Sequence, residues 1–403
     1  MKIGKFGEVN NLSIDTIRHY MDLSLIIPEK KGGHYFFDEY CQIDLELILY
    51  YKDLGFSLNE IKELFFYKNL AKSMNYEKDT FYQSLFKLKY DKMEQEIELL
   101  EKKRDKLKEV LQDFLLTNET SNTIIGIHLS VLHLLTCSKC SKKLILQDGI
   151  INNNQIIEGK LICNCGEEYI ITSGIISAGK LFKANEKTSL ENIISDYIHE
   201  TDNAYLENMH REGEWAKKKL IHLDLNNKLI LDIGSGLGFF LRSIYEELPE
   251  DCLYIAVDRD FNKLLFLKDV LARRNILFIC ADFLNIPIQN RSVDIVIDHS
   301  GTSNYSFEHE DFLLHELNPL FKSDCYLLSL FILFKNFSLN SQITNNFRAN
   351  FTLSKIKKEL QNLQFQPIDE STSNYLKRGG KYEGFFVQGE EIYTYSFFGK
   401  RWG

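Results

Sequence analysis

What the chain lacks narrows it first. Its longest apolar run, YLLSLFILF (326–334), is too short to span a bilayer, so no membrane is expected among its partners. The first residues show no basic stretch leading into an apolar core, so no secretory signal is expected there and the cytoplasm is the expected location. An excess of positive charge is also missing. The net charge is −9, so no global field draws nucleic acid, and DNA binding must come from a local surface. Eight cysteines in 403 residues read as metal ligands or isolated thiols in a reducing compartment, not as a disulfide framework. Cys41, Cys252, Cys280 and Cys325 stand singly in apolar contexts and are expected to be buried thiols. The length exceeds one ordinary domain and predicts roughly two to four units.

The chain opens with two short helical stretches, KIGKFGEV (2–9) and SIDTIRHYMDL (13–23), turned at Asn10-Asn11. Ser13 is a good N-cap, and Asp15 and Thr16 favour a first turn. Pro28 and Gly32-Gly33 then break the helical pattern, and a Gly-Gly among basic and aromatic residues reads as a hairpin wing. Two more helices follow in YCQIDLELILYYKDLGFSLNEIKELF, with Gly55 closing one and Ser57 capping the next. These pieces predict a winged helix-turn-helix over 1–72. Its second helix would enter the major groove with Thr16, Arg18, His19 and Tyr20, and Lys30, Lys31 and Tyr35 on the wing would meet phosphates. A small helical domain with no DNA role is the plain alternative. The stretches KIGKFGEV, SIDTIRHYMDLSLIIP and LGFSLNEIKEL resemble the MerR family of transcriptional regulators along the whole segment. One departure is at the wing, where the family's usual Gly-Tyr-Arg-x-Tyr is Gly33-His34-Tyr35-Phe36-Phe37 and Tyr35 replaces the arginine.

Residues 79–118 contain no glycine or proline. A 4–3 rhythm runs through Phe86, Tyr90, Met93, Ile97, Leu100, Arg104, Leu107, Leu111 and Phe114, broken only by Arg104. With charges flanking the seam this predicts a coiled coil over 73–120. The MerR resemblance implies an antiparallel coiled-coil homodimer, and a dimer would read a dyad promoter site.

Between 121 and 185, Cys137 and Cys140 form a C-x-x-C knuckle, and Cys163 and Cys165 follow strand-like residues. Four thiolates on two turns satisfy a closed, tetrahedral, structural Zn2+ site, and so short a segment would draw folding free energy from the metal. A redox pair or two unrelated thiol pairs is the alternative. The Leu-x-Cys-x-x-Cys and Cys-Gly elements resemble the zinc ribbons that accompany methyltransferases, including those of the ribosomal-RNA guanine type. The second knuckle departs from that pattern, being C-x-C instead of C-x-x-C.

From 186 to 403 the pattern alternates strand and helix. The strands are KLILDI, CLYIAVD, ILFICAD and SVDIVIDHS, which predicts an α/β doubly wound, Rossmann-like sheet with ligands at the strands' carboxyl ends. A helical lead-in (189–220) precedes it, and EGFFVQG and EIYTYSFFGKR are expected to close the sheet as an antiparallel hairpin. Asp232-x-Gly234-x-Gly236-x-Gly238 follows the first strand; it differs from a dinucleotide loop in glycine spacing and leading acid. The motif resembles that of class I S-adenosylmethionine-dependent methyltransferases, and IPIQNRSVDIVI resembles their UbiE-like, type 11 group. That resemblance implies a cofactor site of Asp232, Gly234, Ser235, Gly236, Gly238, Asp258, Arg259, Asp282 and Phe283. Asp258 would take the ribose hydroxyls, and Asp282 with Phe283 the adenine.

Methyl transfer is an in-line displacement helped mainly by alignment and electrostatics. The segment after strand four offers Asp298, His299 and Tyr305 as candidate catalytic groups, His299 as base and Tyr305 as substrate wall; plain polar surface is the equal alternative. No Asn/Asp-Pro-Pro-Tyr motif is present, so the amino-group chemistry of that motif is not assigned. The expected fold is multidomain: an all-α winged helix-turn-helix with a long coiled-coil helix, a small β zinc ribbon and a class I methyltransferase domain. The expected function is a DNA-binding regulator that binds S-adenosylmethionine and methylates a small molecule. A non-catalytic cofactor or drug sensor, and an RNA methyltransferase, are the alternatives.

Overall fold

A computed structural model of the chain describes residues 1–70, 79–117, 125–178, 190–271 and 275–402. The chain divides into two compact units, Met1–Ser121 and Asn122–Gly403.

The first unit is built from α1 (Ile3–Asn10), α2 (Ile14–Asp22), a hairpin of β1 (Glu29–Lys31) and β2 (His34–Phe36), α3 (Glu39–Asp53), α4 (Leu58–Leu70) and α5 (Thr80–Thr117). Local chemistry sets these boundaries. Ser13 Oγ accepts from the Thr16 amide at 3.0 Å and Asp38 Oδ1 from the Cys41 amide at 3.0 Å, capping α2 and α3. Ser57 and Glu60 form a reciprocal capping box at α4. Phe6, Ile17, Tyr20, Leu45, Ile48, Ile61 and Leu64 make the core. The start of α5 belongs to this core, since the Tyr51 and Tyr82 hydroxyls meet at 2.8 Å and Phe86 packs edge-on to Tyr51 and Phe56. Phe86, expected on the coiled-coil seam, therefore packs within the head instead. Farther along α5, Ile97, Leu100, Leu107 and Leu111 are exposed. The ends of the expected coil, 73–78 and 118–120, lie outside the described residues.

The second unit is organised on one sheet. In chain order come β3 (Ile127–His128), β4 (Ile145–Asn152), β5 (Gln155–Ile162), β6 (Glu168–Thr172), β7 (Ile175–Ala178), α6 (Leu190–Glu200), α7 (Asn203–Ile221), β8 (Leu229–Ile233), α8 (Phe239–Ile244), β9 (Leu253–Asp258), α9 (Phe261–Val270) and β10 (Ile276–Cys280). Then follow β11 (Val293–His299), α10 (Gly301–Tyr305), α11 (Leu313–Leu317), β12 (Phe321–Asn336), α12 (Leu353–Asn362), β13 (Phe365–Thr372) and β14 (Glu391–Arg401). The strand order is β13-β14-β12-β11-β8-β9-β10-β7-β6-β5-β3, with β4 paired to β5. Strands β8 to β12 pair in parallel, and β8 and β10 are buried along their whole length, as a sheet covered on both faces requires. The direction of winding reverses between β8 and β11, which places a crevice at their carboxyl ends.

Two features differ from expectation. The cysteine-bearing strands are not set apart: β7 pairs in parallel with β10, so β3 to β7 extend the same sheet. The strand antiparallel to β14 on the outer edge is β13, not EGFFVQG (383–389). In that stretch Phe385 and Phe386 turn into an aromatic cluster with Phe307 and Phe351, and the buried Glu390 carboxylate accepts the Val387 and Ser338 amides. Apolar burial and backbone capping outweigh the alternating pattern there. The 189–220 lead-in forms α6 and α7, with residue 189 outside the described set; the end of the helix expected after strand two, 272–274, also lies outside it.

Gly238 starts α8 at φ 71°, and a Cβ there would lie 2.3 Å from Cδ1 of Leu267, itself fully buried. Gly238→Ala is expected to destabilise this unit by about 1–3 kcal/mol. Urea unfolding monitored by circular dichroism measures this, and an unchanged midpoint would contradict the packing described.

Candidate functional site

The glycine loop is a clasp between β8 and β9. Gly234, Gly236 and Gly238 have φ values of 78°, 54° and 71°, the left-handed region where glycine alone is unstrained. The Gly234 and Ser235 amides donate to the Val257 carbonyl at 2.9 Å. The Gly236 amide donates to Asp258 Oδ2 at 2.8 Å, and the Asp260 amide to Asp258 Oδ1 at 2.9 Å. A carboxylate offers about four acceptor positions, so Asp258 retains capacity for two more donors. Asp260 caps α9 by accepting the Asn262 amide at 3.0 Å.

These groups border a cavity of about 650 Å³ lined by Gly234, Gly236, Asp258, Arg259, Asp260, Lys263, Asp282, Phe283, Asn304, Tyr305, Phe307, Glu308 and His309. Asp258, Asp260, Asp282 and Glu308 outnumber Arg259 and Lys263, so the lining favours a cationic ligand. Phe283 gives it an aromatic wall 3.6 Å from where a Cβ on Gly234 would stand.

Of the cofactor residues expected from sequence, Gly234, Gly236, Asp258, Arg259, Asp282 and Phe283 thus meet at one cavity. Asp232, Ser235 and Gly238 are not among its lining. Asp232 is buried beneath the loop, and burial raises its carboxyl to about 7; the Asp258 and Asp298 carboxylates push the same way, against the Ser235 and Tyr254 hydroxyls. Of the candidate catalytic groups, Tyr305 lines the cavity, its ring stacked on His309 at 3.9 Å. Asp298 and His299 do not line it. Asp298 is fully buried and caps α10 by accepting the Thr302 amide at 2.9 Å; burial raises it to about 6. The His299 ring lies against Phe240 with centroids 4.2 Å apart and the planes tilted by 40°, and burial lowers it to about 4. The two-residue period of β11 explains the difference: His299 shares a face with Ile295 and Ile297, turned into the helix-covered core. Asn304 belongs to the segment expected to face an acceptor, whereas Asp260, Lys263, Phe307, Glu308 and His309 were not anticipated from sequence. The i, i+4 spacing of Tyr305 and His309 is the signal that pairs the last of these with a foreseen residue.

In the cysteine segment, Cys137, Cys140, Cys163 and Cys165 bring their sulfurs within 4.8 Å of one another, with Cys137–Cys165 at 3.6 Å and Cys140–Cys163 at 3.3 Å. A tetrahedron of thiolates at the usual zinc distance has edges of about 3.8 Å, so the set fits a four-thiolate ion. Gly166, at φ 91°, makes the second turn, and the Tyr169 hydroxyl donates to Cys137 Sγ at 3.7 Å while accepting the Ser138 amide at 2.9 Å. The thiols of Cys41, Cys252, Cys280 and Cys325 are buried.

In the head, Arg18 and His19 are exposed on α2, with Arg18 paired to Asp15 at 3.3 Å. Thr16 is engaged with the Ser13 cap. Tyr20 is not presented: it is buried, since Ile17 and Tyr20 stand three apart on the core face of α2, and Lys52 donates to its hydroxyl at 3.4 Å. On the hairpin, Lys30 lies over the Tyr35 ring at 5.4 Å and Lys31 pairs with Glu29 at 2.7 Å. No described helix is long and apolar enough to cross a membrane.

Comparison with known proteins follows the same two units. Residues 1–67 match the MerR HTH family of regulatory proteins, and residues 230–324 match a methyltransferase domain family. The chain joins a MerR-type helix-turn-helix segment to a methyltransferase domain. No curated protein matches it. Among solved structures it is similar to a phosphoethanolamine N-methyltransferase 2 from Haemonchus contortus (15% identity, TM-score 0.34), covering 47% of this chain and 52% of that one, about half its length. It is also similar to an S-adenosylmethionine-dependent methyltransferase from Aquifex aeolicus (16%, TM-score 0.34, covering 53% and 99%). A third is the YcgJ protein from Bacillus subtilis (12%, TM-score 0.36, covering 48% and 99%).

The buried carboxyl of Asp232 carries a pH signature. Folding holds its proton up to about pH 7, whereas an unfolded aspartate ionises near pH 3.9. Its contribution to stability is therefore full below about pH 4 and lost as pH rises through 7. Asp232→Asn is expected to stabilise the cofactor-free chain by roughly 2–4 kcal/mol at pH 8 and by little at pH 4. Denaturation curves at the two pH values measure this; an equal effect at both would contradict it.

Proposed function

We propose that this protein is a dimeric, MerR-type DNA-binding transcriptional regulator whose second unit binds S-adenosylmethionine and methylates a small molecule. The observation that carries the cofactor reading is the convergence of Gly234, Gly236, Asp258, Asp282 and Phe283 on one cavity at the sheet's winding reversal. Two acceptor positions left on Asp258 suit the two ribose hydroxyls, Phe283 suits the adenine face, and the acidic lining suits a sulfonium cation. For methyl transfer, the Tyr305–His309 stack lines the same cavity as the glycine loop and supplies an aromatic wall for an acceptor. The chain's contribution to the chemistry is then alignment and exclusion of water around the sulfonium.

The head reads DNA in this account through Arg18 and His19 on α2 and through Lys30, Lys31 and Tyr35 on the hairpin. The exposed Ile97, Leu100, Leu107 and Leu111 on α5 support an antiparallel coiled coil with a second copy, and a dyad promoter site follows from that symmetry. The four cysteines would hold a structural Zn2+.

Isothermal titration calorimetry with S-adenosylmethionine tests the pocket. Wild-type chain is expected to bind, and Asp258→Ala to bind at least about tenfold more weakly, having lost two charge-assisted acceptors. Equal binding by both, or none by wild type, would overturn the cofactor reading. Transfer of a labelled methyl group into a small-metabolite extract tests turnover. Label appearing in RNA instead would replace the small-molecule reading, and cofactor binding with no transfer would leave a sensor. In DNA footprinting, Arg18→Ala is expected to weaken protection of a dyad site upstream of the coding region; no protection by wild type would remove the regulator reading.

A further inference from the structure

The segment that carries Phe283 continues past the cofactor cavity to β11, and the cysteine segment holds its backbone. The Thr136 amide donates to the Pro287 carbonyl at 3.1 Å, and the Gln289 amide donates to the Leu134 carbonyl at 2.8 Å. Between them Leu135 forms an isolated antiparallel bridge with Ile288, and both side chains are buried in one core with Cys137 and Cys163. Asn290 Nδ2 reaches Ser141 Oγ at 3.4 Å. Phe283, which lines the cofactor cavity, also lines a cleft of about 110 Å³ with Cys137, Ser138 and Ser141. The other end of the cysteine segment pairs with the strand that leads into this loop. Strand β7 pairs with β10 at Ile279↔Ile176 and Cys280↔Ser177, immediately before Asp282.

The adenine side of the cavity therefore rests on residues 134–141 at one end and on β7 at the other. What fixes 134–141 is local. The Cys137 amide donates to the Lys142 carbonyl and the Ser141 amide to the Cys137 carbonyl, so the knuckle is a single turn with Cys137 and Cys140 at its base. Its sulfurs face those of the turn between β5 and β6, where an ion bound by all four would cross-link it to Cys163 and Cys165. Without the ion, the knuckle keeps its turn, the Tyr169 contacts, the Lys139–Glu167 ion pair at 2.5 Å and its core and backbone contacts, but loses the cross-link between the two cysteine turns.

We propose that a thiophilic divalent cation on the four cysteines controls the affinity of the cofactor cavity by holding residues 283–290 through the bridge at Leu135 and Ile288. The proposal rests on the cofactor and metal readings above. It makes Leu135 and Ile288 positioning residues for Phe283, touching neither ligand. Coupling of two binding equilibria is reciprocal, so the cofactor must tighten the metal by the factor by which the metal tightens the cofactor.

The test uses the full chain under reducing conditions, with S-adenosylhomocysteine and Zn2+ as probes. Calorimetry of zinc-loaded and chelator-stripped protein is expected to show about tenfold weaker S-adenosylhomocysteine binding after stripping. Competition against a chromophoric chelator is expected to show zinc held more tightly by the same factor when S-adenosylhomocysteine is present. Hydrogen exchange keeps the result interpretable. Stripping should speed exchange at the Thr136 and Gln289 amides and leave β8 and β9 protected. Equal S-adenosylhomocysteine affinity with and without zinc overturns the proposal and leaves both site readings standing. Loss of protection across β8 and β9 overturns it in favour of global unfolding. Zinc-loaded chain that binds no S-adenosylhomocysteine overturns it together with the cofactor reading, and chain that binds no zinc overturns it together with the metal reading.

Discussion

The second unit turns on one carboxylate. Asp258 ends strand β9 and uses its two oxygens to hold the Gly236 and Asp260 amides. The first bond fixes the glycine loop after β8, and the second sets the turn from which Asp260 caps α9. Loop, strand end and helix start are thereby held around one carboxyl group, on the strand next to the winding reversal between β8 and β11. The same group faces the cavity. An anchor that also faces the cavity is preorganised, because its side chain is already held by two amides. It also explains why glycine is needed at 236. The amide must approach the carboxylate at φ 54°, where a side chain would be strained.

The second constraint is the continuity of the sheet. A short segment with four cysteines has little core of its own, yet Leu135, Ile156, Leu161, Tyr169 and Ile171 share one core with Leu231, Val257 and Ile279 of the methyltransferase strands. The parallel pairing of β7 with β10 makes this possible. Burial along a shared face supplies stabilisation that neither part reaches alone. The arrangement also places the four-cysteine cluster and the cavity beside opposite ends of one loop, residues 283–290.

Much of this was legible in the sequence, and the failures have identifiable causes. The caps at Ser13, Ser57 and the glycine triplet act locally, and the structure realises them as local geometry. Four of the parallel strands, β8 to β11, were readable because each is a buried apolar run with an acid at or near its carboxyl end. Which face a residue takes was harder. Tyr20 and His299 are polar residues in plausible positions, but helical spacing buries Tyr20 in the head core and strand alternation turns the half-buried His299 against Phe240. The strand expected at 383–389 failed for a nonlocal reason, since Phe385 and Phe386 find aromatic partners far away in sequence. The pairing of β7 with β10 had no sequence signal, because register between distant strands depends on the whole sheet. Phe86 fits a heptad seam and a head core equally well by spacing, and only the position of Tyr51 and Phe56 decides it.

A crystal structure of the chain bound to S-adenosylhomocysteine tests the central claim most directly. The account predicts both ribose hydroxyls within hydrogen-bond distance of Asp258, the adenine against Phe283, and the Gly236 amide still bonded to the same carboxylate. A ligand seated elsewhere in the unit, or a glycine loop that must leave Asp258 to admit it, would contradict the account.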